Sequence, residues 1–600
     1  MKSLPRAVLI VFLLSILVIS TELAHGKGSF WTSTLNHASE ISSSTAADAS
    51  SGRVFLNQTF ESETVGATPT GWNVLYPQYG NITVVNNTWY GPASTGKSVK
   101  ITDEYVNNNP VPYKLFPEQI NTVAVSFSTK PTSNMGAKGT IEVYVDDSNF
   151  NGANIVFTGG KIGHRTKYGD LYPLRDSYAP DRWYKIKMIL NVPRNLYAIY
   201  IDDHLEKTNA EFTGTATQIH RIALNETSGQ EDTPLPVAFI DEIFGLKGIE
   251  IPKDYPDIQQ GVNAASEGDL VFVDKQSYFE SLIVPATKNG IWLYGEASNT
   301  TIIDGRFFDT KNGITIQASN VRMSGFTIYA TSGTGIVIEG SNNTIENTIV
   351  TNGLRDGIHI TAPNNTVSDS IITKNLQCGI RVEHSNTTLS NDIIELNDEH
   401  GIIVTGWNSV LEDSTMNSNL QTGILVSQGE QNLIRNNTMT KNGIGIKCDI
   451  NGKNNDIYSN RLVNNTVQAY NYDESNKWDD GYPYVPDQKG GGNYWCDFNS
   501  SDIYSGKDQD QPAYCLLPSP DGICDQPYLL SPVGTDSYPL FLIQNITVDP
   551  QDLEKINYTA LVNVTATVLK SVNITEAHLE IEYDSVRRNI SMTIGGNKLR

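Results

Sequence analysis

Asn312-Gly-Ile-Thr-Ile-Gln317 returns as Thr334-Gly-Ile-Val-Ile-Glu339 and again as Asp356-Gly-Ile-His-Ile-Thr361. Cys378-Gly-Ile-Arg-Val-Glu383, His400-Gly-Ile-Ile-Val-Thr405, Thr422-Gly-Ile-Leu-Val-Ser427 and Ile444-Gly-Ile-Lys-Cys-Asp449 follow, each 22 residues after the last. Behind every Gly the alternate residues are apolar, which turns one face of a short strand inward. A unit repeated at a fixed interval of roughly 20–50 residues marks a solenoid. Ile345, Val367, Leu389 and Leu411 form a second set in the same phase. Asn320, Asn342, Asn364, Asn386 and Asn408 form a third. Stacked coils bring equivalent residues to about 4.8 Å. Asn amides at that distance are expected to bond up and down the stack, and Asn tolerates a left-handed corner. The segments are too short and too rich in Gly and Asn for helices. The three registers together predict a right-handed, single-stranded parallel β-helix in an all-β protein.

The chain of 600 residues is too long for one core. Lys2 and Arg6, the apolar run from Ala7 to Ser20 and the small residues Ala24 and Gly26 read as a secretory signal peptide over 1–26. The run falls short of the roughly 20 residues a spanning helix needs, although an uncleaved anchor is the alternative. Lys+Arg 43 against Asp+Glu 66 gives a net charge of −23. That balance, with no basic run, argues against nucleic acid and anionic lipid as partners. Five Cys are too few to carry the fold through disulfides. Export and dense N-x-[ST] sequons predict a glycoprotein, with Asn545, Asn557, Asn563, Asn573 and Asn589 as the favoured acceptors. Asn342, Asn364 and Asn386 match the motif too, but an amide engaged in a ladder is expected to be inaccessible.

Small polar residues without a period make 27–52 a Ser/Ala-rich linker. Over 53–248, alternating strands such as Thr140–Val145, Trp183–Leu190 and Leu196–Ile201 lie between Pro, Gly, Asn and Asp turns, the pattern of an antiparallel β-sandwich. This segment resembles the concanavalin-like and laminin-G-like jelly rolls through Phe55 to Phe60 leading to Gly71-Trp72, Trp183-Tyr184, Tyr200-Ile-Asp-Asp203 and Phe239-Ile-Asp-Glu-Ile243. Some jelly rolls of that kind hydrolyse glucans with a Glu-x-Asp-x-x-Glu strand. Glu142-Val-Tyr-Val-Asp146 has the wrong spacing, so binding is expected here rather than cleavage.

Ile258, Val262 and Ala265 have helical spacing and predict a short helix over the open end of the first coil, where a sheet edge needs cover. The β-helix is expected over 249–470, roughly nine coils and about 45 Å of stack. From Ile251 to Leu540 the sequence resembles secreted β-helix proteins of the NosD and carbohydrate-binding/sugar-hydrolase type, which have a pectin-lyase-like fold. The entry helix, Gly268-Asp-Leu-Val271 and the Gly-Ile coils carry that resemblance. So does the ordered exit over 471–541: Asn476-Lys-Trp-Asp-Asp-Gly481, Gly491-Gly-Asn-Tyr-Trp495, Asp502-Ile-Tyr-Ser-Gly506, Asp521-Gly-Ile-Cys-Asp525 and Asp536-Ser-Tyr-Pro-Leu540. Such exits resemble those of archaeal surface proteins. Cys496 and Cys524 depart from the family pattern, and with Cys515 between them one disulfide among the three is expected. Cys378 and Cys448 lie about three strand spacings apart, beyond disulfide reach. Residues 542–600 resemble the first strands of an immunoglobulin-like module.

The outward positions of the Gly-Ile strands read Thr315, Val337, His359, Arg381, Ile403, Leu425 and Lys447. Glu339, Asp356, His359, Arg381, Glu383 and His400 are therefore expected on neighbouring coils of one face. A lyase needs a base and a cation beside a uronate carboxylate, which Arg381 and His359 offer. A glycosidase needs two carboxylates at set spacings, for which Glu339 and Glu383 are candidates. The alternative is a solvated face in which Arg381 pairs with an acidic neighbour. Trp407, near the next corner, is a candidate sugar platform or packs beneath a loop. His359, His384 and His400 lack metal-ligand spacing, so no transition metal is expected. Asp508, Asp510, Asp521 and Asp525 on Gly-rich loops are candidate calcium ligands. The sequence thus predicts a secreted cell-surface glycoprotein with carbohydrate-binding and scaffold roles, whose partners are an envelope glycan and other envelope proteins. A polysaccharide lyase or glycoside hydrolase and a structural envelope or sheath component are the competing readings.

Overall fold

The computed structural model describes residues 53–86, 97–103, 111–132, 140–227, 237–306, 312–329, 332–481, 491–498, 524 and 526–540, with the backbone of isolated strands elsewhere. Two architectures meet in it. Val54 to Lys247 fold into a seven-stranded and an eight-stranded antiparallel sheet facing each other. Their inward alternate residues, among them Val143, Val145, Ile155, Phe157, Ile186, Met188, Ile199 and Ile201, form one core. The sequence marks a hairpin clearly at Asp202-Asp203. Both residues have positive φ (54° and 64°), which the tight turn joining Leu196–Ile201 to His204–Glu211 requires.

From Ile249 onward the chain winds into a parallel β-helix of three sheets, ten strands in each. Roughly nine coils were expected. The stack is longer because Ile249–Ile251 already pairs in parallel with Leu270–Val273, and because Tyr494–Trp495 and Ser531–Pro532 extend it at the exit. The Gly-Ile strands form the third sheet in the expected register, Ile336 on Ile358 on Ile380. Their inward residues fill a core that runs the length of the helix. The Gly before each Ile is required by close approach: a Cβ on Gly357 would sit 2.6 Å from the carbonyl oxygen of Gly379 in the next coil.

Helix α1 (Ile258–Ala264) covers the first coil, burying Ile258 and Val262. Asp257 caps it by accepting from the Gln260 amide (2.8 Å). Glu280, from the coil beneath, accepts from the Ile258 and Gln259 amides (both 3.0 Å) and thereby satisfies two more orphan donors.

The asparagine ladder is displaced from its expected position. Asn320, Asn342, Asn364, Asn386 and Asn408 do adopt the left-handed conformation, with φ between 54° and 61°. Among the hydrogen bonds of the described residues, however, just one joins this series, Asn386 Nδ2 to Asn364 Oδ1 at 3.0 Å. A left-handed corner turns its own side chain outward and the next one inward. The interior ladder therefore runs one residue later, from Asn343 to Asn365 and, after a break where Thr387 Oγ1 has no partner, from Thr387 N through Ser409, Asn432 and Asn455. A third-corner ladder of Asn375, Asn397, Asn419, Asn442 and Asn465 is more regular still. Asn397 Nδ2 donates to Asn419 Oδ1 (2.9 Å) and Asn419 Nδ2 to Asn442 Oδ1 (3.0 Å). Asn364 and Asn386 are exposed, so the shielding expected of their sequons is not found.

The sandwich is fixed to the first coils. Ala124, Ile189, Ala198, Tyr200 and Leu246, on the outer face of the eight-stranded sheet, pack on Leu270, Phe272, Tyr294 and Trp292. Tyr200 meets Trp292 edge-on at 5.6 Å. Arg322 Nη1 donates to the Asp203 carbonyl (2.6 Å) across the same junction, and the Lys187 ammonium lies on the Trp292 ring. At the other end Trp495 stacks on Tyr528 (4.0 Å) beside buried Trp478. The buried Asp536 carboxylate accepts from Asn493 N (2.7 Å) and Trp495 Nε1 (2.8 Å).

Apart from the backbone of isolated strands, the signal peptide, the linker, residues 541–600 with the five sequons, and Cys515 lie outside the described residues. No bond joins Cys496 to Cys524. Asn464 N donates to the Cys496 sulfur (3.1 Å), as does Gln468 Nε2 (3.3 Å). Cys448 faces the core, fully buried, where desolvation pushes its thiol up.

Candidate functional site

The outward residues of the third sheet line up as expected, His359 on Arg381 on Ile403 on Leu425 on Lys447. The series then continues to Tyr470, 23 residues beyond Lys447. The corner after Ile444–Cys448, Asp449 to Asn455, is one residue longer than the corner before it in the stack, so a strict 22-residue step misses this residue. A second outward column stands just before the Gly positions and includes Asp356, Cys378, His400, Thr422, Ile444 and Val467.

The acidic and basic candidates from the sequence do meet, and they meet one another. Arg381 Nε donates to Asp356 Oδ2 (2.8 Å) and Nη2 to Oδ1 (3.2 Å). The same carboxylate accepts from the Cys378 amide (3.1 Å). His359 Nε2 lies 3.1 Å from Glu383 Oε1 without hydrogen-bond alignment. Glu339 accepts from Gln317 Nε2 (3.2 Å). Glu339 and Glu383 belong to coils two steps apart, with His359 and Arg381 on the strands between and beside them. Arg381 thus pairs with Asp356, which is largely buried, rather than with Glu383. Glu142 of the sandwich is likewise held, by Tyr144 and Arg165, and Asp146 by a buried bidentate pair with Arg221 (2.7 and 2.6 Å).

His400 is placed differently. It lines an open cleft of about 420 Å³ together with Leu420, Gln421, Thr422, Leu425, Gly443, Ile444, Lys447, Thr466, Val467 and Tyr470. Its Nδ1 is buried without a hydrogen-bond partner. Burial lowers the His400 pKa, Glu399 opposes that shift, and the Arg381 and Lys447 charges reinforce it. Tyr470 stands 6.2 Å from Tyr472, and the Lys447 ammonium approaches the Tyr472 ring (5.9 Å). Apolar walls with a few convergent polar groups are the usual make-up of a ligand site. The sequence pointed to His400, Leu425 and Lys447. It gave no signal for Tyr470, Gln421 and Thr466, which the stacked coils bring alongside.

Trp407 is 48% exposed and rests on His384 (5.7 Å, 37°). It follows its strand whereas His400 precedes it, so the two flank opposite edges of the third sheet. No loop among the described residues buries it.

The fold so assembled is a jelly-roll sandwich followed by a parallel β-helix. Within the β-helix, residues 262–500 match the family described as "Periplasmic copper-binding protein (NosD)". A search of curated proteins found no match. Among solved structures, a sialidase is similar at 16% identity and a TM-score of 0.27, over 32% of this chain and 18% of its own. An alginate lyase from a Paenibacillus species is similar at 14% identity and a TM-score of 0.28, over 37% and 91%. A cellulose-induced protein is similar at 13% identity and a TM-score of 0.26, over 32% and 96%.

The copper in the family's description does not fit the side chains seen here. Among the described residues no three His, Cys, Asp or Glu side chains are placed to share a metal ion. The nearest approach to such a set is Cys378 with Asp356 and Glu399. It is occupied by the Arg381 guanidinium, whose Nη2 contacts both the Cys378 sulfur (3.4 Å) and Asp356. Desolvation and these carboxylates push the Cys378 thiol up to about 12, the opposite of what a metal-binding thiolate needs. The calcium candidates Asp508, Asp510, Asp521 and Asp525 lie outside the described residues. Among the described residues no helix is long and apolar enough to cross a membrane.

Proposed function

We propose that this chain is a secreted cell-surface glycoprotein whose β-helix serves as a rigid scaffold and binds an extended glycan, without cleaving it, along the outer face of the third sheet. The observation that carries the reading is the cleft in which Tyr470 and Leu425 supply apolar surface beside His400, Gln421, Thr422, Lys447 and Thr466. Saccharides present apolar ring faces edged by hydroxyls, and this lining offers partners for both. The stack advances by one strand spacing per coil, about 4.8 Å, so successive coils offer similar contacts to successive sugars of a chain laid along the axis.

Binding is favoured over cleavage because candidate groups are already engaged: Arg381 pairs with Asp356, and Glu339 accepts from Gln317. A general acid or base must be free to reach its proton. The extracytoplasmic setting in the NosD description agrees with the apolar run after Lys2 and Arg6.

The test is affinity electrophoresis of the full chain through gels holding neutral and acidic polysaccharides, with reducing ends and unsaturated uronate followed in parallel. Retention by at least one polysaccharide, lost in Tyr470→Ala and without product, is expected. Product formation would move the protein to the lyase or hydrolase class. Failure of every polysaccharide to retain it would leave the structural-envelope role.

A further inference from the structure

The lining of the cleft is unusual for this chain in its charge. The protein has Asp+Glu 66 against Lys+Arg 43 and a net charge of −23, yet neither Asp nor Glu is among the described residues that line the cleft. Its one fixed cation is Lys447, which faces the Tyr472 ring and forms no ion pair among the described residues. Asp449, just past the end of the strand that carries Lys447, accepts from Ser427 Oγ (2.6 Å), Gln428 N (3.4 Å) and Asn451 N (3.0 Å). A low-dielectric hollow that holds a cation and excludes carboxylates focuses a positive potential. On an acidic protein that potential is local, so a polyanion gains nothing from the rest of the surface.

His400 adds a second cationic group when it takes up a proton. The groups that face it are Glu399 on its own corner, Arg381 and Cys378 from the coil beneath, and Lys447 from above. Arg381 is committed to Asp356, and Glu399 accepts from the Cys378 thiol (3.6 Å), so neither supplies His400 with a partner. Nδ1 is buried, so His400 meets the cleft with the rest of its ring, where a protonated imidazole offers a donor to an incoming acceptor.

Resting on the glycan-binding reading above, we propose that the cleft selects an anionic saccharide, a uronate or a sulfated sugar, whose ring lies on Tyr470 and whose charged group meets Lys447 and His400. An anion bound there stabilises the imidazolium, so binding takes up a proton and tightens as pH falls through the histidine range.

The experiment compares matched polymers on the full chain: polygalacturonate with its fully methyl-esterified form, and dextran sulfate with dextran. The acidic member of at least one pair is expected to bind at least about tenfold more tightly, the effect of one charge-assisted contact. Lys447→Gln, a partly exposed change, should erase that difference while the far-ultraviolet circular dichroism stays as in the native chain. His400→Gln should remove the pH dependence. Preference for polygalacturonate alone identifies the group as carboxylate, and preference for dextran sulfate alone identifies it as sulfate. Equal binding of charged and neutral members, or a preference that survives Lys447→Gln, overturns the proposal and leaves glycan binding intact. No binding by any of the four overturns the reading beneath it.

Discussion

The junction between sandwich and β-helix contains a carboxyl group whose burial has a measurable consequence. Glu346 sits on the outward face of the first sheet, 2% exposed, beneath the sandwich. Burial pushes its pKa up to about 7, with Arg322 opposing and Asp369 and Asp203 reinforcing the shift. Arg322 Nη1 is 3.9 Å away, too far for a hydrogen bond, and Oε1 has no partner. The group thus holds a proton more tightly in the folded protein than in the unfolded chain, where a Glu titrates near about 4.3. Between those values the folded state binds more protons, so its stability falls as pH rises and levels off above about 7. At 1.36 kcal/mol per unit the full effect is on the order of 3–4 kcal/mol. Glu346→Gln removes the titration. Urea denaturation of both proteins between about pH 5 and pH 8 should show the variant gaining about 3 kcal/mol relative to wild type as pH rises. Parallel curves would refute the reasoning, because they would mean that Glu346 titrates alike in both states and that the junction does not desolvate it.

Asn419→Ala removes a fully buried rung: its Oδ1 accepts from Asn397 N (3.2 Å) and Nδ2 (2.9 Å), and its Nδ2 donates to Ile394 O (3.0 Å). Leaving those groups unsatisfied should cost about 2–4 kcal/mol in the same denaturation assay. Arg381→Ala leaves the buried Asp356 carboxylate without its cation and should destabilise by about 2–3 kcal/mol, while glycan retention by the His400 cleft persists. Leu396 is 44% exposed and holds a left-handed φ of 57°. Leu396→Asn should therefore raise the unfolding free energy by about 1 kcal/mol, and a lower midpoint would show that its side chain contributes packing.

The β-helix was legible because its constraint is local and repeated. Period-2 alternation behind each Gly decides which residues face inward, and Ile336, Ile358 and Ile380 could only stack in one register. The left-handed corners were legible too, since Asn320 and its successors occupy a conformation few other residues tolerate. Which side chain of each corner turns inward was decided by the direction of the chain after it, and this moved the ladder from Asn364 to Asn365. On the candidate face, repetition alone placed Arg381, Glu383, His359 and Asp356 together, but it could not pair them. Side-chain reach chose Asp356 for Arg381, because the carboxylate stands in the column before the Gly rather than after the strand.

The sequence by itself thus determined the solenoid, its core and corners, the alternating strands of the sandwich and the capping helix, all of which follow from short-range periodicity. Tertiary structure alone decided the rest. It closed the sandwich over Glu346, and it brought Tyr470 beside Lys447 through coils that had grown by one residue. It also engaged Asp449 with Ser427 Oγ from the neighbouring coil. These outcomes depend on which groups lose water together, and desolvation is a property of surfaces in contact that no single stretch of chain encodes.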